Sequence, residues 1–284
     1  MPIEHISDTA RWVAVYRAME TERPDAIFRD PYARRLAGER GQQIVDTMPR
    51  GRWVAWAMIV RTAVLDEVIL RLVRAGHVDT VLNLAAGLDA RPWRLDLPAS
   101  LHWIDVDLPA ILGYKLEQLA AERPHCRYEA VMLDLADVDA RRALFRRVGA
   151  ESRAVLVVSE GLLVYLTEEQ VASLADDLHA QASFRWWLFD LSSPAVLEWM
   201  KREWRHGLAS GGAEMKFAPD AGAEFFRPHG WQVAESHSSA EEARRLHREM
   251  RVPWFAKLMM KLATPRQRER FRRMTTSFIL LERA

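Results

Sequence analysis

Hydrophobic positions along the chain change rhythm once, at Gly76. From Thr9 to Ile69 apolar residues recur every three or four positions, the spacing of a helix with one buried face. Residues 9–22 predict a helix that Thr9 is placed to cap, and Pro31 and Gly38 punctuate the next stretch. Residues 53–76 predict a long helix closed by Gly76. Beyond it, short apolar runs alternate with amphipathic stretches. The runs Thr80–Ala85, Leu101–Asp107, Arg127–Asp134, Arg153–Gly161 and Phe184–Ser192 predict strands, and residues 109–122, 139–149 and 167–182 predict the helices between them. That alternation is the mark of an α/β chain with a parallel sheet covered on both faces. Gly230–Ser239 and Thr275–Ala284 predict two more strands. The segments around 194–222 and 240–273, helical in pattern and carrying Trp and Met, predict insertions above the sheet. No linker or repeat divides the chain, so residues 1–284 are expected to form one domain: a helical cap over 1–76 and a core over 77–284.

Composition narrows this little but usefully. Of 284 residues 49% are hydrophobic, enough for a large core. Forty basic residues against 39 acidic ones leave a net charge of +1, so no broad field draws the chain to nucleic acid or an acidic membrane. The basic clusters Arg141–Arg147 and Pro265–Arg273 read as solvated helix faces. A single cysteine, Cys126, excludes an intrachain disulfide or thiolate metal cluster. The first residues do not read as a signal peptide, and no run approaches the ~18 apolar residues of a membrane span. A cytoplasmic protein is expected. Eleven tryptophans are core candidates first, with some left over to line a pocket.

In an open parallel sheet, ligands bind where strands end. The first strand ends in Ala85-Ala86-Gly87, small residues over which a ligand can approach backbone. The second ends in Asp107, 20 residues beyond Gly87, the spacing of an acid that holds ribose hydroxyls. The third ends in Asp134-Leu135, a carboxylate for an adenine amino group beside an apolar residue for its ring. The fourth ends in Glu160, a charge in an apolar run that needs a partner or a task. Singly, each has a plainer reading: Gly87 as a turn glycine, Asp107 and Asp134 as helix caps. Together they fall on one edge. The loop lacks the three glycines of a dinucleotide site and the lysine of a P-loop, which favours a phosphate-free cofactor such as S-adenosylmethionine. Arg61 is then available as a bidentate clamp for the methionine carboxylate.

Residues 81–95, 103–119, 131–137 and 158–171 resemble motifs of the leucine carboxyl methyltransferase family, class I S-adenosylmethionine-dependent enzymes that include bacterial polyketide O-methyltransferases. Residues 9–38 and 59–69 are similar to it as well. The resemblance implies a Rossmann-like, mostly parallel seven-stranded sheet with an antiparallel C-terminal strand, the N-terminal helices and insertions serving as a lid. It implies cofactor contacts from Arg61, Ala85, Gly87, Asp107, Asp134, Leu135 and Glu160, with Asp89 and Arg91 mainly structural. The family's usual glycine is Ala85 here, and its usual threonine Ala90. An alanine at 85 costs little while its φ stays negative. A lysine used by some protein-methylating members has no counterpart near Tyr16 and Arg17.

The expected reaction is methyl transfer to a carboxylate or hydroxyl of a small aromatic or polyketide-like acceptor, without metal. A hydroxyl acceptor would profit from a base, for which His206, His229 and Tyr165 are candidates. Competing readings are a protein C-terminal carboxyl methyltransferase, a non-catalytic cofactor-binding protein and an NAD-dependent oxidoreductase.

Overall fold

A computed structural model describes residues 8–47, 51–208, 214–250 and 275–284, with side chains throughout except at 51–53 and 204–208. Seven strands form one sheet in the order β3-β2-β1-β4-β5-β7-β6. They are β1 (Thr80–Leu84), β2 (His102–Asp107), β3 (Arg127–Met132), β4 (Val155–Ser159), β5 (Phe184–Ser192), β6 (Trp231–Ser238) and β7 (Thr276–Arg283). Each lies within a residue or two of its predicted run. β1 through β5 pair in parallel, and β7 runs antiparallel to both β5 and β6, as the resemblance implies. β1 and β4 are buried along their whole length, which explains their uninterrupted apolar runs.

Nine α-helices are described, α1 (Asp8–Thr21), α2 (Ala33–Thr47), α3 (Gly51–Arg74), α4 (Arg91–Arg94), α5 (Pro109–Gln118), α6 (Val138–Glu151), α7 (Glu168–His179), α8 (Pro194–Leu208) and α9 (Ser239–Arg245), with 3₁₀ helices at Leu163–Tyr165 and Gly222–His229. On one face Val157 and Phe189 pack with Phe145 of α6 and Leu174 of α7. On the other Val81, Leu156 and Leu188 pack with Val64, Val68 and Leu72 of α3. A third cluster joins Trp12, Val15 and Leu36 of α1 and α2 to Leu88, Trp93 and Ile111, so the cap sits against the loops after β1 and β2. Trp187 goes to the core, its Nε1 donating to Ser159 Oγ at 2.8 Å.

Some expectations need correction. α1 has begun by Asp8, which puts Thr9 inside its first turn rather than ahead of it. The 141–147 cluster is not simply a solvated face: Arg141 is 5% exposed and ion-paired to Asp177 of α7. α8 occupies the first predicted insertion; of the second, α9 and residues up to 250 are described, and 251–273, with the basic cluster Pro265–Arg273, lies outside the described residues. No helix among the described residues is long and apolar enough to cross a membrane.

Candidate cofactor and acceptor site

The strand order reverses between β1 and β4, and a cavity of about 1240 Å³ opens there above the strand ends. Arg61, Ala85, Gly87, Asp107, Asp134, Leu135 and Glu160 all line it. The volume exceeds the ~300–1,000 Å³ typical of a site for one small ligand, leaving room for a second molecule.

The floor is backbone. Ala85 and Gly87 both take left-handed conformations, with φ of 52° and 51°. The conditional expectation of a negative φ at Ala85 fails: the turn requires the geometry glycine adopts freely, and alanine holds it under strain. Gly87 N–H donates to Asp107 Oδ2 at 2.6 Å, and Leu108 N–H to Asp107 Oδ1 at 2.7 Å. Each carboxylate oxygen keeps a lone pair for a ligand. Burial raises the Asp107 pKa, partly offset by those two donors. Asp107 is not the cap of α5; that position is Leu108, with Pro109 opening the helix. Asp134 is not the cap of α6 either, because Asp137 accepts from Ala140 N–H. Asp134 instead stands exposed at the cavity rim, accepting from Ala136 N–H at 2.9 Å, with Leu135 beside it.

At the other end lies a buried ion network. Glu160 sits between Arg61 Nε at 3.0 Å and Arg91 Nη1 at 2.8 Å. Burial alone would raise its pKa, but Arg91 and Arg61 outweigh that and hold it below the usual value. Arg91 also contacts Asp66 at 2.6 Å and Asp89 at 2.8 Å, and Arg94 grips both oxygens of Asp66. The Asp89 carboxyl is likewise pressed upward by burial and pulled well below its ordinary range by Arg91. Arg61 is less free than a clamp would be. Its Nη1 donates to Asp190 at 3.1 Å, and its Nε, though close to Glu160, is buried outside hydrogen-bond geometry. Gly161 permits this approach, since a Cβ there would stand 3.2 Å from Arg61 Nη1.

Three contributors carry no flag in the sequence analysis. Asp190 lines the cavity, bonds Arg61 and accepts from Gly161 N–H at 2.6 Å. It is a charge near the end of an apolar strand, the signal that singles out Glu160. Asn83, inside β1, donates to Asp89 and Asp105 and ties the loop to the buried Lys115–Asp105 pair. Asp66, in α3, carries no local sign of its role.

Part of the remaining wall is apolar: Trp12 of α1, Trp56 and Met58 of α3, Trp199 and Met200 of α8, and Met215. Tyr165, from a 3₁₀ turn at Leu163–Tyr165, lines it too, and burial pushes its hydroxyl up to about 12. His229 lies elsewhere, its Nδ1 2.7 Å from Asp176 of α7. The side chain of His206, in α8, is outside the described residues.

Residues 10–179 match the family model described as leucine carboxyl methyltransferase. A Streptomyces avermitilis protein provisionally named an S-adenosyl-L-methionine-dependent methyltransferase is 33% identical over 256 residues, covering 86% of this chain and 89% of its own. One from Streptomyces coelicolor, named alike, is 34% identical, with 83% and 86% covered. Among solved structures, a Thermobifida fusca protein provisionally named a methyltransferase superposes with a TM-score of 0.59 at 14% identity, covering 100% of this chain and 96% of its own. A DUF574 family protein from Streptomyces avermitilis gives 0.57 at 13%, with 95% and 97% covered. At such identities these two speak for the fold alone.

Proposed function

Because the chain belongs to the leucine carboxyl methyltransferase family, we propose that it methylates an oxygen of a small, largely apolar acceptor, aromatic or polyketide-like, with a carboxylate favoured over a hydroxyl. The chain is an S-adenosylmethionine-dependent methyltransferase, which sets the nicotinamide alternative aside. The carrying observation is that the six residues read from the strand ends, together with Arg61 of α3, line one cavity with apolar side chains along part of its wall.

The residues present fit S-adenosylmethionine. Seven carboxylates and five basic side chains line the cavity, suiting a ligand with two cationic centres and one carboxylate. Asp107 would hold the ribose hydroxyls, Asp134 the adenine amino group and Leu135 the ring. Arg61 has a terminal nitrogen, Nη2, without a partner among the described residues, and a buried Nε without a hydrogen bond. It would take the methionine carboxylate, with Glu160 and Asp190 facing the ammonium. When bound, S-adenosylmethionine supplies an electrophilic methyl carbon and a neutral thioether leaving group, so an ionised oxygen needs no base.

The chain's own work is positioning and exclusion of water. Trp12, Trp56 and Trp199 offer flat apolar surface to the acceptor. Tyr165 keeps its proton at neutral pH and so serves as a hydrogen-bond donor, not as the base a phenol would need. This favours an acceptor that arrives ionised.

Calorimetric titration with S-adenosylhomocysteine tests the cofactor half. Asp107→Ala should weaken binding by about 1–3 kcal/mol. Turnover of methyl-labelled cofactor against matched panels of aromatic acids and phenols tests the acceptor half. Binding of NAD alone, or turnover confined to phenols, would refute the respective half.

A further inference from the structure

The turn that carries Asp134 and Leu135 is gripped from beneath by Arg141. This guanidinium joins the turn to α7. Nη1 donates to the Leu135 carbonyl at 3.1 Å, Nε to Asp177 Oδ2 at 3.0 Å, and Nη2 to the Ser173 hydroxyl at 3.1 Å and to Asp177. It is almost wholly buried, yet it lines the cavity. The peptide unit between Leu135 and Ala136 is therefore held at both ends. Its carbonyl accepts from Arg141, and its N–H donates to Asp134 Oδ1. That N–H is the one hydrogen-bond donor to the Asp134 carboxylate among the described residues. Hydrogen bonds at the two ends of one peptide polarise each other in the same sense. Turning that plane would release the carboxylate.

We propose that Arg141 is a positioning residue for the purine subsite: through one peptide plane it aims Asp134, so that the site reads an adenine amino group in preference to a six-oxo purine. The inference rests on the proposed cofactor site, with Asp134 and Leu135 at the base. An aimed carboxylate accepts from an amino group and opposes a carbonyl oxygen in the same place. A carboxylate free to turn makes the distinction poorly. The buried charge that anchors Arg141 does not depend on it alone, because Asp177 Oδ1 also takes Arg142 Nε at 2.7 Å, and Arg142 is half exposed. Arg142 has no bond to the turn among the described residues.

The test is calorimetric titration of the full chain with S-adenosylhomocysteine and with S-inosylhomocysteine, its six-oxo counterpart. The wild type should prefer the adenine form. Arg141→Gln should lose about tenfold on that form, the scale of one hydrogen bond, and far less on the other. Arg141→Lys keeps a cation for Asp177 but cannot reach three acceptors from a point charge, so it should melt near the wild-type temperature and still lose the preference. Arg142→Gln, which touches the same carboxylate but not the turn, should keep it. A preference retained in Arg141→Lys, or equal weakening of both ligands, would overturn the proposal. Should Arg141→Gln fail to fold, the lysine variant decides alone. A wild type that takes up neither ligand would instead sink the cofactor site, and this inference with it, before any variant is made.

Discussion

Ala85 holds φ at 52° in the turn that floors the cavity, where a Cβ meets the following carbonyl oxygen. Such a residue stores roughly 1–2 kcal/mol of strain. Glycine would remove it and lose part of the gain to its freer unfolded chain. Ala85→Gly should therefore stabilise the protein by roughly 0.5–1 kcal/mol, read from denaturant midpoints at unchanged slope. A loss of stability would mean that the alanine methyl makes contacts worth more than the strain. Tyr165 gives a second expectation at this scale. Tyr165→Phe should lower kcat/KM about tenfold through one lost donor, while the pH profile around neutrality stays flat. A rate that climbs with pH in the wild type and not in the variant would show that the hydroxyl acts as a base after all.

At the scale of elements, α3 ends as residues 53–76 predict, and the reason is visible. Gly76 has φ of 72°, its N–H bonds Val73 O, and His77 N–H bonds Leu72 O, the paired bonds of a left-handed helix terminus. A Cβ at Gly76 would meet nothing within 4 Å, so only the backbone opposes a substitution. Gly76→Ala should cost about 1 kcal/mol without touching activity, by thermal or denaturant melts. Periodicity located α3, α6 and α7 because each has one apolar stripe against the sheet, and α5 because its apolar side packs with the cap helices. It misplaced the caps. "DLPAIL" offers one acid ahead of a helix and "DLADVDARR" two, and only the folded turn decides whether any of them faces the amides. Asp137 caps α6, which leaves Asp134 at the rim.

At the scale of the molecule, the buried network of Arg61, Arg91 and Arg94 with Asp66, Asp89, Glu160 and Asp190 joins α3, the turn after β1, and the ends of β4 and β5. Glu160 and Asp89 lie below their ordinary values of 4.5 and 3.8, so the unfolded chain takes up their protons first as acid is added. Their stabilisation is complete above about pH 4.5 and is lost as the pH falls further through the folded values. Asp107, whose pKa is raised, has the opposite sign and softens the effect. Denaturant midpoints taken from neutral pH down to about 3 should fall more steeply in the wild type than in Glu160→Gln. Parallel curves would place the acid sensitivity elsewhere.

The acids at the strand ends that line the cavity were legible, because a charge at the end of an apolar strand is conspicuous in one dimension; Glu160 and Asp107 announce themselves this way. Asp66 and Arg141 do not. Each sits in an amphipathic helix where charge is ordinary, and its significance comes from a partner 25 to 36 positions away.

By itself the sequence determined the order of strands and helices, the place of the turn after β1 and the acids at the strand ends, since alternation and helical spacing are local and each burial pattern leaves its own period. Tertiary structure alone decided that Ala85 must turn left-handed, that two carboxylates already hold Arg61, that Tyr165 faces the cavity while His229 does not, and that Arg141 reaches the turn carrying Asp134 and Leu135. These are matters of direction and distance between segments far apart in the chain, fixed only when the sheet twists and the helices pack against it.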